Sequence, residues 1–198
     1  ASFDVFQDSS AISNLTNCFR DSTEFMSSVG AGEHTSDSNT TCLLHFNNNT
    51  TDEKGDISWT ANNMSYSTSI KKFGTHSASF NGTNGNVSAN TSSFNYTGDH
   101  TIEFWFYLTT NGGERICFET NQGGSGNQGF LCNYHSQSDN KYFTYAGYAS
   151  STWGLHASNE NYSLGDPDNF VNSWHHYAHV KNGSNNNLYL DGTSVAST

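Results

Sequence analysis

Three histidines crowd segment 174–180, WHHYAHV, and imidazoles this close in sequence raise the question of a metal. The segment alternates: Trp174, His176, Ala178 and Val180 fall on one side, His175, Tyr177, His179 and Lys181 on the other. That period of two makes it a strand, which puts His175 and His179 on one face but roughly 13 Å apart, too far to share an ion. His175 and His176 point to opposite faces, so these histidines read as surface or packing residues. Calcium is the one cofactor the carboxylates suggest, through Asp52, Glu53 and Asp56 in TDEKGD and Asp166 and Asp168 in GDPDN. Neither run has the oxygen spacing of a calcium loop, and solvated turn carboxylates are the simpler expectation. Nucleophilic and nucleotide chemistry find no motif: there is no Gly-x-Ser-x-Gly elbow and no Gly-rich loop opening a helix.

The elements that must carry these residues are strands. Hydrophobic residues make up 33% of the 198-residue chain, yet aromatics reach 14%. Phe and Tyr must therefore build the core, which suits sheets better than helices. Charged residues are only 13%; the polar surface is Asn, Ser and Thr, which favour turns and strand faces over helix interiors. No stretch holds a helical period, and the lone Pro167 does not oppose strands. The chain is expected to be all-β. Its net charge of −11, with seven Lys and Arg, leaves no basic patch for nucleic acid or an anionic membrane. No run is long and apolar enough to span a membrane as a helix.

The cysteines point to an oxidising compartment. Cys117 and Cys132 flank the turn-rich NQGGSGNQG, and folding their strands about it sets the two nearly opposite, as a cross-strand disulfide requires. Cys18 and Cys42 are then left to each other or to another chain. Four cysteines allow three pairings, and four buried thiols is the competing arrangement. No Cys-x-x-Cys spacing suggests zinc. Disulfides place the protein outside the cell, at a cell or virion surface, and Ala1 is compatible with the residue left after removal of a leader. Asn-x-Ser/Thr sequons start at Asn14, Asn39, Asn48, Asn49, Asn63, Asn81, Asn86, Asn90, Asn95, Asn161 and Asn182. With Asn at about 13% and Ser plus Thr at about 25% of the chain, chance gives roughly six or seven such triplets, so the excess is modest. These are glycosylation candidates where the host has the machinery.

Three sections follow along the chain. Residues 1–26 form an N-terminal arm whose tip, SFDVFQ, is strand-like through Phe3, Val5 and Phe6. Residues 27–41, SSVGAGEHTSDSNTT, read as a flexible polar linker. A compact domain, 42–198, then shows strand signals at 43–46, 57–60, 77–81, 86–89, 101–109, 115–119, 130–134, 142–148, 174–181 and 188–190, separated by Gly, Asn and Ser clusters and including a polar turn at 182–187.

Ordered motifs across 42–192 give the domain a family likeness. Trp-His-His, the Asn-Gly turn and Leu-Tyr-Leu-Asp-Gly resemble the late hairpin of laminin-G-like domains of the concanavalin A-like superfamily. CLLHFNNNT followed by KKFGTHSASFNGTNGNVS resembles the opening of such domains, and GDHTIEFWFYLT their long central strand. The resemblance implies a jelly-roll of two curved antiparallel sheets, and no single function. Glucanases of the superfamily carry Glu-x-Asp-x-Glu on one strand; the comparable strand here has Glu103 beside Trp105 and Tyr107, not carboxylates. Glu114 and Glu119, at odd spacing, face opposite ways. The chain is therefore expected to be no enzyme.

Two roles remain. Further strands follow the late hairpin in the resembling domains, whereas six residues, 193–198, remain here. Missing strands would leave unpaired backbone, and the arm could fill that gap in its own domain or in the next copy. The second course makes a fibre or appendage of self-joined copies; an equal alternative is that the arm connects domains and the chain continues past Thr198. The alternative is a carbohydrate-binding module with Trp59, Tyr145, Tyr148 and Trp153 as aromatic platforms, although many such aromatics belong in the core.

Overall fold

The computed structural model describes residues 2–8, 33–89, 98–110, 113–119, 129–137, 140–149, 152–156 and 171–197. Among them are fourteen strands and no helix. They are β1 (Ser2–Asp8), β2 (Thr40–Leu44), β3 (Thr60–Asn62), β4 (Met64–Ser67), β5 (Ser77–Phe80), β6 (Asn86–Ser88) and β7 (His100–Tyr107). There follow β8 (Gly113–Glu119), β9 (Gly129–Gln137), β10 (Asn140–Ala149), β11 (Thr152–His156), β12 (Trp174–Asn182), β13 (Asn185–Leu190) and β14 (Thr193–Ser197). One sheet runs β14-β13-β12-β7-β1-β5-β4, with β2 also on β1; a second runs β11-β10-β9-β8; β3 and β6 form a small ribbon. All strand pairs are antiparallel.

The aromatic-rich composition acts through β7, HTIEFWFY. Ile102, Phe104 and Phe106 alternate on one face and are each about 1% exposed. Phe104 stacks on its cross-strand partner Tyr177 with centroids 4.8 Å apart. Such a pair adds about 0.5–1.5 kcal/mol beyond the area it buries. Cys42, Leu44, Phe46, Ile57 and Ala78 extend the core, with Trp59, Met64, Tyr66 and Phe80 packed against it.

Two hairpin turns shape the late strands. Gly183 has φ +59° at the first of the two residues between β12 and β13, as a type II′ turn needs. Asp191 and Gly192, at +47° and +76°, make the type I′ turn between β13 and β14.

Several expectations change. The turn expected over 182–187 shrinks to Gly183 and Ser184, because Asn185, Asn186 and Asn187 pair with Asn182, Lys181 and Val180. The strand expected at 57–60 is only a bridge, Thr51 to Ser58, ahead of β3. β4, β11 and β14 were not foreseen: their Ser, Thr and Gly content hides them from propensity, and neighbouring strands recruit them. Residues after the late hairpin thus pair with β13. The described part of the expected linker is docked: the Ser36 amide donates to Glu53 at 3.3 Å, and Asn47 Nδ2 donates to Glu33.

Candidate functional site: a groove that receives the first strand

The described arm residues, 2–8, lie inside the large sheet between β7 and β5. All seven residues of β1 pair with β7, from Ser2 opposite Tyr107 to Asp8 opposite Thr101. On the other side, Val5 to Asp8 pair with β2, and Ser2 and Phe3 with β5. Phe3 thus stands in register with Phe106 and Ala78, Val5 with Phe104 and Leu44, and Phe6 with Glu103 and Leu43. A cleft straddles this path, lined by Glu33, His34, Leu43, Leu44, His45, Phe73, Glu103, Phe104, Trp105 and His176. Its walls on β2 and β7 are the partners of Asp4, Val5 and Phe6.

Histidines and carboxylates meet around the groove. His176 Nε2 lies 3.2 Å from Glu103 Oε2, with side chains only 6% and 10% exposed. His45 bonds Glu53 and has Glu33 at 3.8 Å. Burial raises the Glu53 carboxyl, but hydrogen bonds from His45 and the Ser36 amide outweigh it and hold the group below its usual range. Lys72 Nζ sits 4.1 Å over the Trp105 ring, and Phe73 meets the same ring edge-on at 5.8 Å. Burial pushes the Lys72 ammonium down, against the attraction of Asp191.

Asp191 ties the hairpin together. Its Oδ2 lies 2.7 Å from His175 Nδ1, its Oδ1 accepts the His176 amide at 2.8 Å, and its own amide donates to the His176 carbonyl at 2.8 Å. The other ring nitrogen of His175, Nε2, is 2.8 Å from Ser173 Oγ. Burial raises the Asp191 carboxyl, but the bonds and charge of His175 and the His176 amide prevail and hold it below its usual range. The signal for this network was a Ser-x-His spacing leading into β12, with an Asp-Gly turn directly after β13.

Two of the calcium candidates, Asp52 and Glu53, have hydrogen-bond partners within the chain. Asp52 is buried, and its oxygens accept the amides of Leu43, Lys54 and Ile57 at 2.9, 3.1 and 3.2 Å, which fixes the 52–57 turn. Asp56 is exposed. Among the described residues no three His, Cys, Asp or Glu side chains group to hold a metal; Asp166 and Asp168 lie outside them.

Of the aromatic candidates, Trp59 is partly buried and packed against the core. Tyr148 and Trp153 are register partners across β10 and β11, while Tyr145 pairs with Cys132. Cys132 pairs with Phe118, and the ladder bulges between Ile116 and Phe118, leaving Cys117 beside its expected partner along the backbone. Cys42 is a free, buried thiol pushed up to about 12 by burial and the charge of Asp52; Cys18 lies outside the described residues. Asn48, Asn49, Asn63, Asn81, Asn86 and Asn182 are exposed, Asn39 is half-buried, and Asn14, Asn90, Asn95 and Asn161 lie outside the described residues.

No curated protein and no solved structure gives a significant match to the chain. The laminin-G-type family profile described as the concanavalin A-like lectin/glucanases superfamily matches residues 81–198, more than half of the sequence, and that family's fold is the β-sandwich jelly roll. The chain belongs to the laminin-G-like branch of the concanavalin A-like lectin/glucanase superfamily.

Proposed function

We propose that this protein is an extracellular structural and adhesive module, without a glycan-cleaving centre, that joins copies of itself by exchanging β1. Laminin-G-like domains are commonly extracellular, often bind carbohydrate and are generally non-catalytic, which supports the general role. The observation that carries the exchange is the central place of β1, paired on both sides. Residues 9–32 separate it from the docked segment that leads into β2, a tether that reaches about 80 Å when extended. Its main-chain ladder is equally satisfied by a strand from the same chain or from a neighbour, and a head-to-tail exchange that does not close grows a fibre.

The test is negative-stain imaging and size-exclusion chromatography over a concentration series, on the full chain and on a form lacking residues 1–26. Assembly that rises with concentration, loss of folded protein on deletion, and recovery on adding a peptide of residues 1–10 support exchange. A full chain that stays monomeric at every concentration, with a deletion form that folds alone, ends the idea.

A second reading is favoured by the register pairing of Tyr148 with Trp153: glycan binding by an aromatic pair on the second sheet. A glycan array run with the Trp153→Ala and Tyr148→Ala proteins checks it, and no binding by the unaltered protein excludes it.

A further inference from the structure

We propose that Ser173 is an activated nucleophile, with His175 as its general base and Asp191 as the residue that positions the base, and that this trio transfers small acyl groups from exposed carboxylic esters. Three observations carry this. Ser173 Oγ lies 2.8 Å from His175 Nε2, the reach a base needs to take the hydroxyl proton. Asp191 Oδ2 lies 2.7 Å from Nδ1, so Nδ1–H donates to the carboxylate and Nε2 is left as the acceptor for the Ser173 hydroxyl. Asp191 is itself fixed by the His176 amide at 2.8 Å. Serine, imidazole and carboxylate thus stand in the order of a hydrolase triad, which is recognised by geometry and not by sequence position.

The surroundings suit a small, accessible substrate. Ser173 is half-buried next to exposed Asn172, whose φ of +62° turns the chain sharply just before the nucleophile. The Asn172 amide donates to the Leu108 carbonyl at 2.8 Å, which pins that turn to the end of β7. The Phe106 ring lies 5.7 Å from the His175 ring and covers one side of the imidazole. With Ser173 half-buried and the Phe106 ring beside the base, the acyl group we assign is a short one, such as the acetyl of an O-acetylated surface sugar.

The chemistry balances without a cofactor. Ser173 Oγ bonds to the ester carbonyl carbon as its proton passes to His175 Nε2. The ester C–O bond then breaks, and the alcohol leaves with that proton. Water next attacks the acyl-serine, giving one proton to Nε2, which returns it to Ser173 Oγ as the carboxylic acid departs. Nothing is oxidised or reduced. This activity goes beyond the assembly role and does not depend on it.

The probes are p-nitrophenyl acetate and a fluorophosphonate, used on the full chain. The expected result is hydrolysis above buffer that falls at least tenfold in Ser173→Ala, and one phosphonyl adduct per chain, mapped to Ser173 and absent from that variant. Asp191→Asn, which keeps a residue tolerant of positive φ, should slow hydrolysis and displace the acid limb of its pH profile, while far-ultraviolet circular dichroism shows the fold retained. Equal rates in Ser173→Ala and the unaltered protein, or an adduct elsewhere, overturn the proposal. An Asp191→Asn profile identical to the original removes Asp191 from its positioning role.

Discussion

Asp191 holds the His175 ring through a 2.7 Å bond from Nδ1 to Oδ2, joining the start of β12 to the turn after β13. The same carboxylate caps the His176 amide, so one side chain at a two-residue turn closes the whole hairpin. Asp191→Ala removes both bonds and places a Cβ-bearing residue without a local partner at φ +47°. We expect a loss of about 1–3 kcal/mol, read as a lower urea midpoint with an unchanged slope.

The Glu103–His176 pair, 3.2 Å apart and almost fully enclosed, should behave as a buried pair does. Breaking it with Glu103→Ala takes this partner from the buried His176 Nε2 and should cost about 1–3 kcal/mol, whereas replacing both residues by apolar ones of similar volume should cost far less. Chemical denaturation of the single and double variants checks this. A single variant as stable as the unaltered protein would mean that the pair holds nothing in place.

His179 makes stability depend on acid. Burial, then the neighbouring His100 ring at 5.6 Å, push it down to about 3; the Asn186 bond opposes and Lys181 assists. An ordinary histidine titrates near 6.5, so between about 6.5 and 3 the unfolded chain binds the proton and the native state does not. Stability from this group is complete above 6.5 and falls as pH drops, approaching tenfold in the folding constant per pH unit. Urea midpoints from pH 7 to pH 4 should fall steeply, and less steeply in His179→Gln. His100, also pushed down by burial, leaves a residual slope in that variant.

Gly74 has φ +54°, and a Cβ there would run into Glu33 Oε1 and the side-chain amide of Asn47. Asn47 Oδ1 accepts the amides of Thr75 and His76 at 2.7 and 3.2 Å, so it cannot retreat freely. Gly74→Ala should cost about 1–3 kcal/mol and loosen the 33–39 segment from the domain. A drop in melting temperature together with new proteolysis near Glu33 checks both parts.

Cys42 should be silent to thiol reagents in the folded state, since the residue is 2% exposed and its thiol is pushed up to about 12. Ellman's reagent at pH 8 should leave it unmodified until denaturant is added. A cysteine that stays blocked in denaturant without reductant would instead reveal the pairing with Cys18.

Pattern along the chain is enough to set the class of this protein. Period-two alternation in β7 and β12, and aromatic residues in place of aliphatic ones, allow only strands with a Phe- and Tyr-built core. The Asp-Gly pair at 191–192 announced its turn, because few residues accept two successive positive φ values. Those signals are local, and local chemistry is what a linear pattern records. The tertiary structure alone decided where β1 lies, since pairing Phe3 with Phe106 spans most of a domain and leaves no mark in either segment. It also recruited β4, β11 and β14, whose own residues do not insist on a strand, and brought Asp191 back onto His175. The Ser173, His175 and Asp191 side chains meet only because a hairpin returns one end of its path to the other, a relation set by register and not by residue type.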